Sequence, residues 1–550
     1  MSGGDNDSLA MPLWRRVGSR PVIAAAGAIL LAAAALRFSP FSISPHEVQG
    51  VKIFVLAGAI LLVALWNRLP HQARLALLVM LAVVAALNYY RWGPRSLYEK
   101  VDVYDVVHYY LGAKYFEELG YEGLYPALIL ADRENGPKSA ELKRYRLQTN
   151  AGYVYRGIDD ALERGRELRQ TRFTPERWRS FERDSLVLLR DIGLSAASWR
   201  KVVSDRGFNG SPAWITFARP FVAFIPARSV KLIGLLDVIL LASALFAVRH
   251  AYGGQIALWA LIFLAASYSM RWPVAGEALF RYVWLASILW ALALVKMGRP
   301  VVAGVTLAIS SLMRIFPVVW LFGPLAQMLH QFDRRPYRLQ NIDRHYWLMA
   351  VGFAGSIVVA VVLISLDIGV GSFFDHARDM RIHVQVEQLV SRHIGLAKAL
   401  VFDGGLEPKN LTAEARAAIG VLKPAAGFLA LCLLIALALG IRTLPRDQAF
   451  ALGFIPFFLL ATAHDYYGVS RVTLIVYHAS RLENLWDRGC LVLLLALEMF
   501  GCWAIVQYPD HVAFRIGYLA WGTMLYVLMV TGGLLRDWWK SRPAASPAIS

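Results

Sequence analysis

Long apolar runs recur along the whole chain, and most of them have a length that suits one crossing of a bilayer. A transmembrane α-helix needs about 20 consecutive, mostly apolar residues. Runs of this kind are predicted at 21–37, 51–67, 74–90, 229–248, 254–270, 278–296, 347–366, 424–441, 448–463, 489–507 and 514–535. The apolar stretch 300–330 is broken by Arg314 and Pro317, so it predicts two short or kinked helices. The pattern predicts an all-α, polytopic membrane protein with about 11–13 transmembrane helices.

Two long polar segments divide these runs into groups. The segment after the third run carries an amphipathic helical pattern, for example over Pro175–Arg190, which predicts a small helical cap. The predicted organisation is 1–90, N-terminal transmembrane helices; 91–228, extracytoplasmic catalytic loop and cap; 229–366, central transmembrane helices; 367–423, second extracytoplasmic loop; 424–550, C-terminal transmembrane helices.

The short basic loops predict the orientation, because Lys and Arg accumulate on the cytoplasmic side. Arg15, Arg16 and Arg20 predict a cytoplasmic N-terminus, followed by an uncleaved first span. Arg68 and Arg74 predict a second cytoplasmic connection, so residues 91–212 lie outside. The basic positions that follow are also predicted inside, namely Arg249, Lys296, Arg299, 333–338, Arg442, Arg446 and 536–542, provided that 470–487 adds one short crossing. This arrangement predicts a multi-pass protein of the inner (plasma) membrane.

Composition and charge narrow the class further. The chain is 57% hydrophobic and 17% charged, whereas soluble domains have about 45–50% apolar and about 25% charged residues. The net charge is +18, but no dense Lys/Arg run suggests a nucleic-acid partner. Cys432, Cys490 and Cys502 lie in or beside apolar runs, so they predict neither a disulfide framework nor a zinc site. The high hydrophobic content and the low charged content favour a membrane protein over a soluble globule.

Candidate chemistry begins directly after the third run. Asp102, Asp105 and His108 are spaced three residues apart and fall on one helical face. A carboxylate that is partly desolvated at the membrane boundary can act as a general base toward a hydroxyl group. The alternative is that the two Asp residues cap or solvate the start of a juxtamembrane helix, and the spacing alone leaves both interpretations open. With only two hard ligands in view, a divalent metal is not expected.

The same region carries a resemblance to a known family. Asp105, then Tyr109, a helical pattern and Leu124-Tyr125 resemble the catalytic loop of family 87 glycosyltransferases, which are GT-C-fold mannosyltransferases that use polyprenyl-phosphate sugars. Ser211-Pro212, before Arg219-Pro220, is similar to a Pro-containing segment of that family.

The resemblance continues in the stretch from Gly304 to Pro317. It resembles a glycine-rich helix that ends in a basic residue, with Arg314 where the family usually has Lys. The chain departs from the family in the second outer loop, where Ser391-Arg392-His393 stands in place of an Asn-Gln-Ser stretch.

The resemblance implies an enzyme that transfers mannose or a related sugar from a polyprenyl-phosphate donor to a lipid or glycan acceptor on the extracytoplasmic side, with inversion. Asp105 is the implied base, and Asp102 or His108 would orient it. Negative charge grows on the departing phosphate, which therefore needs cations and hydrogen-bond donors. The candidates for donor-phosphate or substrate binding are Tyr109, Lys114, Arg314, Arg378, Arg381, His383, Arg392 and His393. Arg and His at a membrane interface also snorkel to headgroups or pair with nearby carboxylates, and this alternative stays open.

The implied partners are the lipid-linked sugar, its acceptor and the bilayer, with no nucleic acid and no cofactor beyond the lipid-linked donor. Two other classes remain. A transporter or flippase of a lipid-linked substrate would carry broken helices in two matched halves, and only one break, at 314–317, is visible. An inactive GT-C-like scaffold is the other.

His464-Asp465-Tyr466-Tyr467 is interpreted as an interfacial polar end, because adjacent residues on a helix point in different directions.

Overall fold

The structure is a computed structural model that describes residues 44–92, 103–136, 142–149, 152–191, 195–205, 207–270, 279–333, 338–387, 392–405 and 413–541. The predicted span at 21–37 and the candidate Asp102 lie outside the described residues.

Helices dominate the described chain. The helices formed by the apolar runs are α1 Pro45–Ala64, α2 His71–Tyr89, α11 Val230–Tyr252, α12 Gly254–Ala266, α13 Val283–Lys296, α14 Pro300–Met313, α15 Phe322–Phe332, α16 Arg344–Ile368, α19 Ala413–Gly440, α20 Arg446–Ala451, α21 Phe454–Leu460, α22 Val472–Ala479, α23 Leu485–Gln507 and α24 Val512–Lys540. Among the described residues, α1, α2, α11, α16, α19, α23 and α24 are long and apolar enough to cross a membrane, and α12, α13 and α14 are shorter apolar helices. This agrees with the predicted all-α, polytopic membrane architecture.

Exposed apolar side chains support a lipid environment. On α16, Val351 is 65%, Val358 63% and Leu366 80% exposed. A surface of this kind is unfavourable in water but suits contact with hydrocarbon chains.

The structure corrects the predicted boundaries at two places. The stretch predicted as one span at 448–463 consists of two short helices, α20 and α21, separated by a turn at Leu452 and Gly453. Within 470–487, the short α22 is followed by a turn that leads into α23. The prediction of two short helices for 300–330 is confirmed: α14 ends at Met313, and a 3₁₀ turn at Phe316–Leu321 leads into α15.

The remaining elements lie in the two long polar segments, except for a two-residue strand that follows α21. These are α3 Val103–Val106, α4 Gly112–Lys114, α5 Phe116–Leu119, α6 Leu124–Glu134, β1 Arg144–Thr149, β2 Gly152–Gly157, α7 Ile158–Thr171, α8 Pro175–Leu186, α9 Ala196–Val203, α10 Pro212–Phe224, α17 Gly371–Glu387, β3 His393–Ile394, α18 Leu396–Val401 and β4 Ala463–His464. The prediction of a helical cap is corrected in one respect, because β1 and β2 form an antiparallel hairpin within it. The helix predicted within Pro175–Arg190 is present as α8.

Glycines allow two membrane helices to approach closely. A Cβ atom at Gly304 of α14 would lie 2.1 Å from the Met349 carbonyl oxygen of α16, and one at Gly352 of α16 would lie 2.1 Å from the Val301 carbonyl oxygen. Because the hydrophobic effect does not drive association between helices in lipid, close packing through small residues takes its place. This contact fixes α14, whose last residue precedes Arg314.

Replacing Gly352 with Ala is expected to lower the free energy of unfolding by about 1–3 kcal/mol, because the new methyl group overpacks the contact with α14. Thermal unfolding of the purified protein in detergent measures the loss. Gly355→Ala is the matched control, since Gly355 lies on the same helix and a methyl group added there would meet no atom within 4 Å. Equal stability of the two variants would contradict the assigned helix contact.

Candidate functional site

Asp105 lies on the short helix α3, immediately before a π-helical turn at Val107–Leu111. Single π-turns inside helices are frequent at functional sites because they re-aim side chains. The Asp105 carboxylate is 13% exposed and forms an ion pair with Arg281 through Oδ2. Arg281 is separated from Asp105 by 176 positions in the chain, so the fold creates this pair.

Arg281 is held in place by a second, buried carboxylate. Asp237 of α11 accepts hydrogen bonds from the backbone N–H groups of Arg281 at 3.0 Å and Tyr282 at 2.9 Å. The turn before them is unusual, because Phe280 has a φ of 51°, a conformation that side chains rarely adopt. The two N–H groups stand just before α13 and have no partner within that helix. Asp237 therefore anchors the turn from which Arg281 reaches Asp105.

Arg314 follows the end of α14 and points into the same region. Its backbone is extended, with φ −146° and ψ 129°, so the helix stops at Met313. The Ser211 hydroxyl donates a hydrogen bond to the Leu312 carbonyl oxygen at 2.9 Å. This bond satisfies one of the carbonyl groups at the end of α14 that have no partner within the helix. Arg314 Nη2 lies 3.5 Å from the Tyr109 hydroxyl, and that hydroxyl donates to Asn209 Oδ1 at 2.9 Å.

The two arginines line one small pocket, here named the arginine pocket. Its lining consists of Arg281, Tyr282, Trp284, Arg314, Tyr466 and Tyr467. The Arg281 guanidinium carbon lies 5.1 Å from the centre of the Tyr466 ring. A cation over an aromatic face is attracted by the ring, which helps to keep two arginines in a largely apolar surrounding. The pocket thus combines positive charge with flat aromatic surfaces.

The segment His464–Tyr467 forms part of this site through Tyr466 and Tyr467, and it is not the α-helix on which its interpretation as an interfacial polar end was based. Asp465 is only 2% exposed and accepts a hydrogen bond from the Tyr268 hydroxyl at 2.5 Å. His464 Nδ1 lies 2.6 Å from Asp465 Oδ1, and the His464 ring lies 4.4 Å from the Tyr466 ring. His464 ends β4, and Asp465 begins a 3₁₀ turn, so the side chains of this segment do not diverge as they would on an α-helix.

His393 is the predicted site residue that the fold brings to this segment. β3 and β4 pair His393 with His464, and the two rings are 5.8 Å apart. Arg392 is exposed, and its carbonyl oxygen accepts the N–H of Asp465 at 2.8 Å. The segment at β3 therefore contacts His464 and Asp465, which directly precede the pocket residues Tyr466 and Tyr467, through its backbone and through His393.

Helix α17 contributes His376 to the neighbourhood of Arg314. The His376 ring lies 5.8 Å from the Tyr121 ring, which stacks on Phe208. Burial lowers the pKa of His376 to about 4, and the positive charge of Arg314 lowers it as well. His376 is therefore neutral near pH 7. Its Nδ1 is buried and has no hydrogen-bond partner among the described residues, so it can serve a bound group.

Arg378 and Arg381, on the same helix, lie away from the arginine pocket. Arg378 is 46% exposed and lies 3.5 Å from carboxylate oxygens of Glu122 and Asp379. Burial raises the pKa of Asp379 to about 6, against the opposing effect of Arg378. Arg381 is exposed. His383 also lies on α17.

His108 and Lys114 are engaged in contacts that stabilise the cap. His108 Nδ1 lies 2.7 Å from the Tyr104 carbonyl oxygen, so it carries the proton, and Nε2 accepts from the Tyr125 hydroxyl at 2.9 Å. The ring thus holds the residue before Asp105, which suits an orienting role. Lys114 forms an ion pair of 2.8 Å with Asp184 of α8. Of the predicted phosphate ligands, Arg314 and Tyr109 are brought together at the pocket, and Lys114 is not.

Arg281 and Asp237 are the residues that sequence reasoning missed. Both stand in or beside apolar runs, and a charge in such a place is a functional candidate by default. That signal was present but did not reveal their partners. Within the described part of the chain, no group of three or more His, Cys, Asp or Glu side chains is placed to hold a metal ion.

The chain was compared with models of protein families, with curated proteins and with solved structures, and nothing matched it in any of the three comparisons.

Proposed function

We propose that the protein is a GT-C-like membrane glycosyltransferase, which moves mannose or a related sugar from a polyprenyl-phosphate donor to a lipid or glycan acceptor. The observation that carries the proposal is the meeting of Asp105, Arg281 and Arg314 beside Tyr109 and Tyr466, where apolar helices end. A carboxylate can act as the base in a displacement at a sugar phosphate, and fixed cations can stabilise the charge that develops on the departing phosphate.

In the proposed step, Asp105 accepts the proton of an acceptor hydroxyl group. The acceptor oxygen then forms a bond to the anomeric carbon, while the bond from that carbon to the phosphate oxygen breaks. The electron pair of the broken bond leaves with the polyprenyl phosphate, and the configuration at the anomeric carbon inverts. Asp105 Oδ2 is engaged by Arg281, and no described residue forms a hydrogen bond with Oδ1, so Oδ1 is the oxygen that takes the proton.

Arg314 is the proposed partner of the departing phosphate. Its planar guanidinium group can donate two parallel hydrogen bonds to phosphate oxygens, which an ammonium group cannot do. The neutral His376 beside it is proposed to donate or accept one further hydrogen bond through its unpartnered Nδ1. Tyr466 and Tyr467 offer aromatic faces for the sugar ring.

A donor labelled with ³H in the sugar and ¹⁴C in the prenyl chain tests the proposal. The purified protein in liposomes, supplied with an acceptor extract, is expected to move ³H into a product that lacks ¹⁴C, because the bond between sugar and phosphate is cleaved. Donors with different sugars are assayed in parallel, and vesicles without the protein are the control.

The two other classes give different results in the same assay. A flippase would keep both labels in one molecule and carry them to the opposite leaflet, which accessibility to a periodate oxidant detects. An inactive scaffold would leave the donor intact and in place. Either result, with a folded protein and every donor, would overturn the proposal.

A further inference from the structure

A second, larger cavity lies at the other end of the helices that carry the arginine pocket. It measures about 460 Å³, and small-molecule sites commonly have volumes of about 300–1,000 Å³. Its polar lining is contributed by α13, α15, α16, α20 and the 3₁₀ turn at Ile441–Thr443; the residues that matter here are Lys296, Gln327, Tyr346, Arg442, Arg446 and Asp447. This space is named the basic cavity.

The basic cavity and the arginine pocket are separated by the length of α13. That helix starts just after Arg281 and ends at Lys296, and 14 residues at about 1.5 Å each span about 20 Å. α14 runs back from Pro300 to Met313, which directly precedes Arg314. The two sites are therefore at opposite ends of the same helix pair. The basic connections at this end are the ones predicted to be cytoplasmic.

Positive charge exceeds negative charge around the basic cavity. Lys296 lies 3.3 Å from Asp447, which also accepts from the Tyr252 hydroxyl at 3.0 Å. Arg446 pairs with Asp343, the residue that caps the start of α16. Each of these two cations has its own carboxylate.

Arg442 adds a third cation, whose side chain has no ionic or hydrogen-bond partner in the described part of the chain. The turn that carries it is held firmly, because Gln327 Nε2 donates to the carbonyl oxygens of Ile441 at 3.1 Å and Leu444 at 2.7 Å. The Tyr346 hydroxyl in turn fixes the Gln327 side chain at 2.8 Å. A rigid turn thus presents an uncompensated guanidinium group to the cavity.

We propose that the basic cavity binds a phosphate ester, held chiefly by Arg442. Arg is suited to phosphate because its donors match the oxygens two at a time. Lys296 and Arg446 are 39% and 43% exposed, so the cavity opens at the protein surface, where headgroups meet the helix ends. Two sources share this chemistry, the headgroup of an anionic lipid and a soluble phosphate monoester. The proposal does not depend on the glycosyltransferase reaction.

Native mass spectrometry of the purified full-length protein tests the proposal with phosphatidic acid as the probe and phosphatidylcholine as the neutral reference. Arg442→Gln is expected to weaken phosphatidic acid binding by about tenfold or more, because a charge-assisted hydrogen bond contributes about 1.5–3 kcal/mol. Arg442→Lys should keep part of the affinity. Arg299→Gln, an exposed cation at the same end of α13 that does not line the cavity, is the matched control and should bind like the wild type.

Competition by glycerol 3-phosphate distinguishes the two sources. Displacement of phosphatidic acid would assign the site to phosphate esters in general, and retention of phosphatidic acid would restrict it to the lipid headgroup. Equal losses for Arg442→Gln and Arg299→Gln would overturn the proposal, because binding would then reflect general surface charge. Equal binding of phosphatidic acid and phosphatidylcholine would overturn it too. Thermal unfolding of each variant verifies that the binding comparison concerns folded protein.

Discussion

Replacing Asp105 with Asn is expected to slow sugar transfer by about 100- to 10,000-fold, which is the usual contribution of a general base. The amide has nearly the same shape as the carboxylate but cannot accept the proton of the acceptor hydroxyl group. The measurement is the initial rate of release of the ³H label from the doubly labelled donor. Donor binding should change much less than the rate, because the base acts only as the acceptor bond forms.

The matched control is Asp367→Asn. Asp367 also pairs with an arginine, Arg219, at 2.8 Å, and it is 31% exposed outside the arginine pocket. This variant is expected to transfer sugar within about threefold of the wild-type rate, because surface ion pairs contribute little. A rate of Asp105→Asn close to that of Asp367→Asn would remove Asp105 as the base and point to Asp102 or another carboxylate.

A second variant separates proton transfer from simple anchoring of Arg281. Arg281→Gln removes the partner of Asp105 but leaves the carboxylate in place. If Asp105 is the base, Arg281→Gln should be more active than Asp105→Asn. If Asp105 only positions Arg281, the two single variants and the double variant should lose the same activity, because they break one and the same contact.

The sequence predicted those features of this molecule that depend on local patterns. Hydrophobic run length indicated the long helices, and the break at Arg314 and Pro317 indicated the two short helices that the structure contains. Asp105 and Arg314 were both singled out, and the structure brings Arg314 to Tyr109, four residues after Asp105. Whether these residues do the predicted chemistry stays a prediction.

The features that the sequence did not predict depend on contacts between residues that are distant in the chain. The pair of Asp105 and Arg281 and the anchoring of Arg281 by Asp237 join three separate elements. The same holds for His464 and Asp465, which contact Tyr268 and the strand β3. On an α-helix these adjacent side chains would point in different directions, whereas the strand β4 and the 3₁₀ turn that begins at Asp465 place them close together. The cap hairpin was missed because its two strands are short and were not distinguished from the polar segment around them.

The largest loss of stability is expected for Glu498→Gln. Glu498 is fully buried on α23, and its Oε1 lies 3.1 Å from Nη2 of Arg471, which is 1% exposed. Removing one partner of a buried ion pair leaves an uncompensated charge, which costs about 3–5 kcal/mol. Glu498 Oε2 also accepts the backbone N–H of Ser269 at 3.2 Å, so the variant weakens that contact as well. Thermal unfolding in detergent measures the loss.

Two further variants determine whether the loss arises from burial of the charge. Glu176→Gln removes one partner of the pair with Arg179, in which both side chains are more than 70% exposed, and it is expected to leave thermal unfolding unchanged, because exposed ion pairs contribute little. The double variant Arg471→Met, Glu498→Leu removes both charges and should recover much of the stability that Glu498→Gln loses. A double variant as unstable as Glu498→Gln would show that the pair fixes the geometry around Ser269 rather than merely balancing charge. Because Arg471 ends the 3₁₀ turn that begins at Asp465, that outcome would tie the buried ion pair directly to the wall of the arginine pocket.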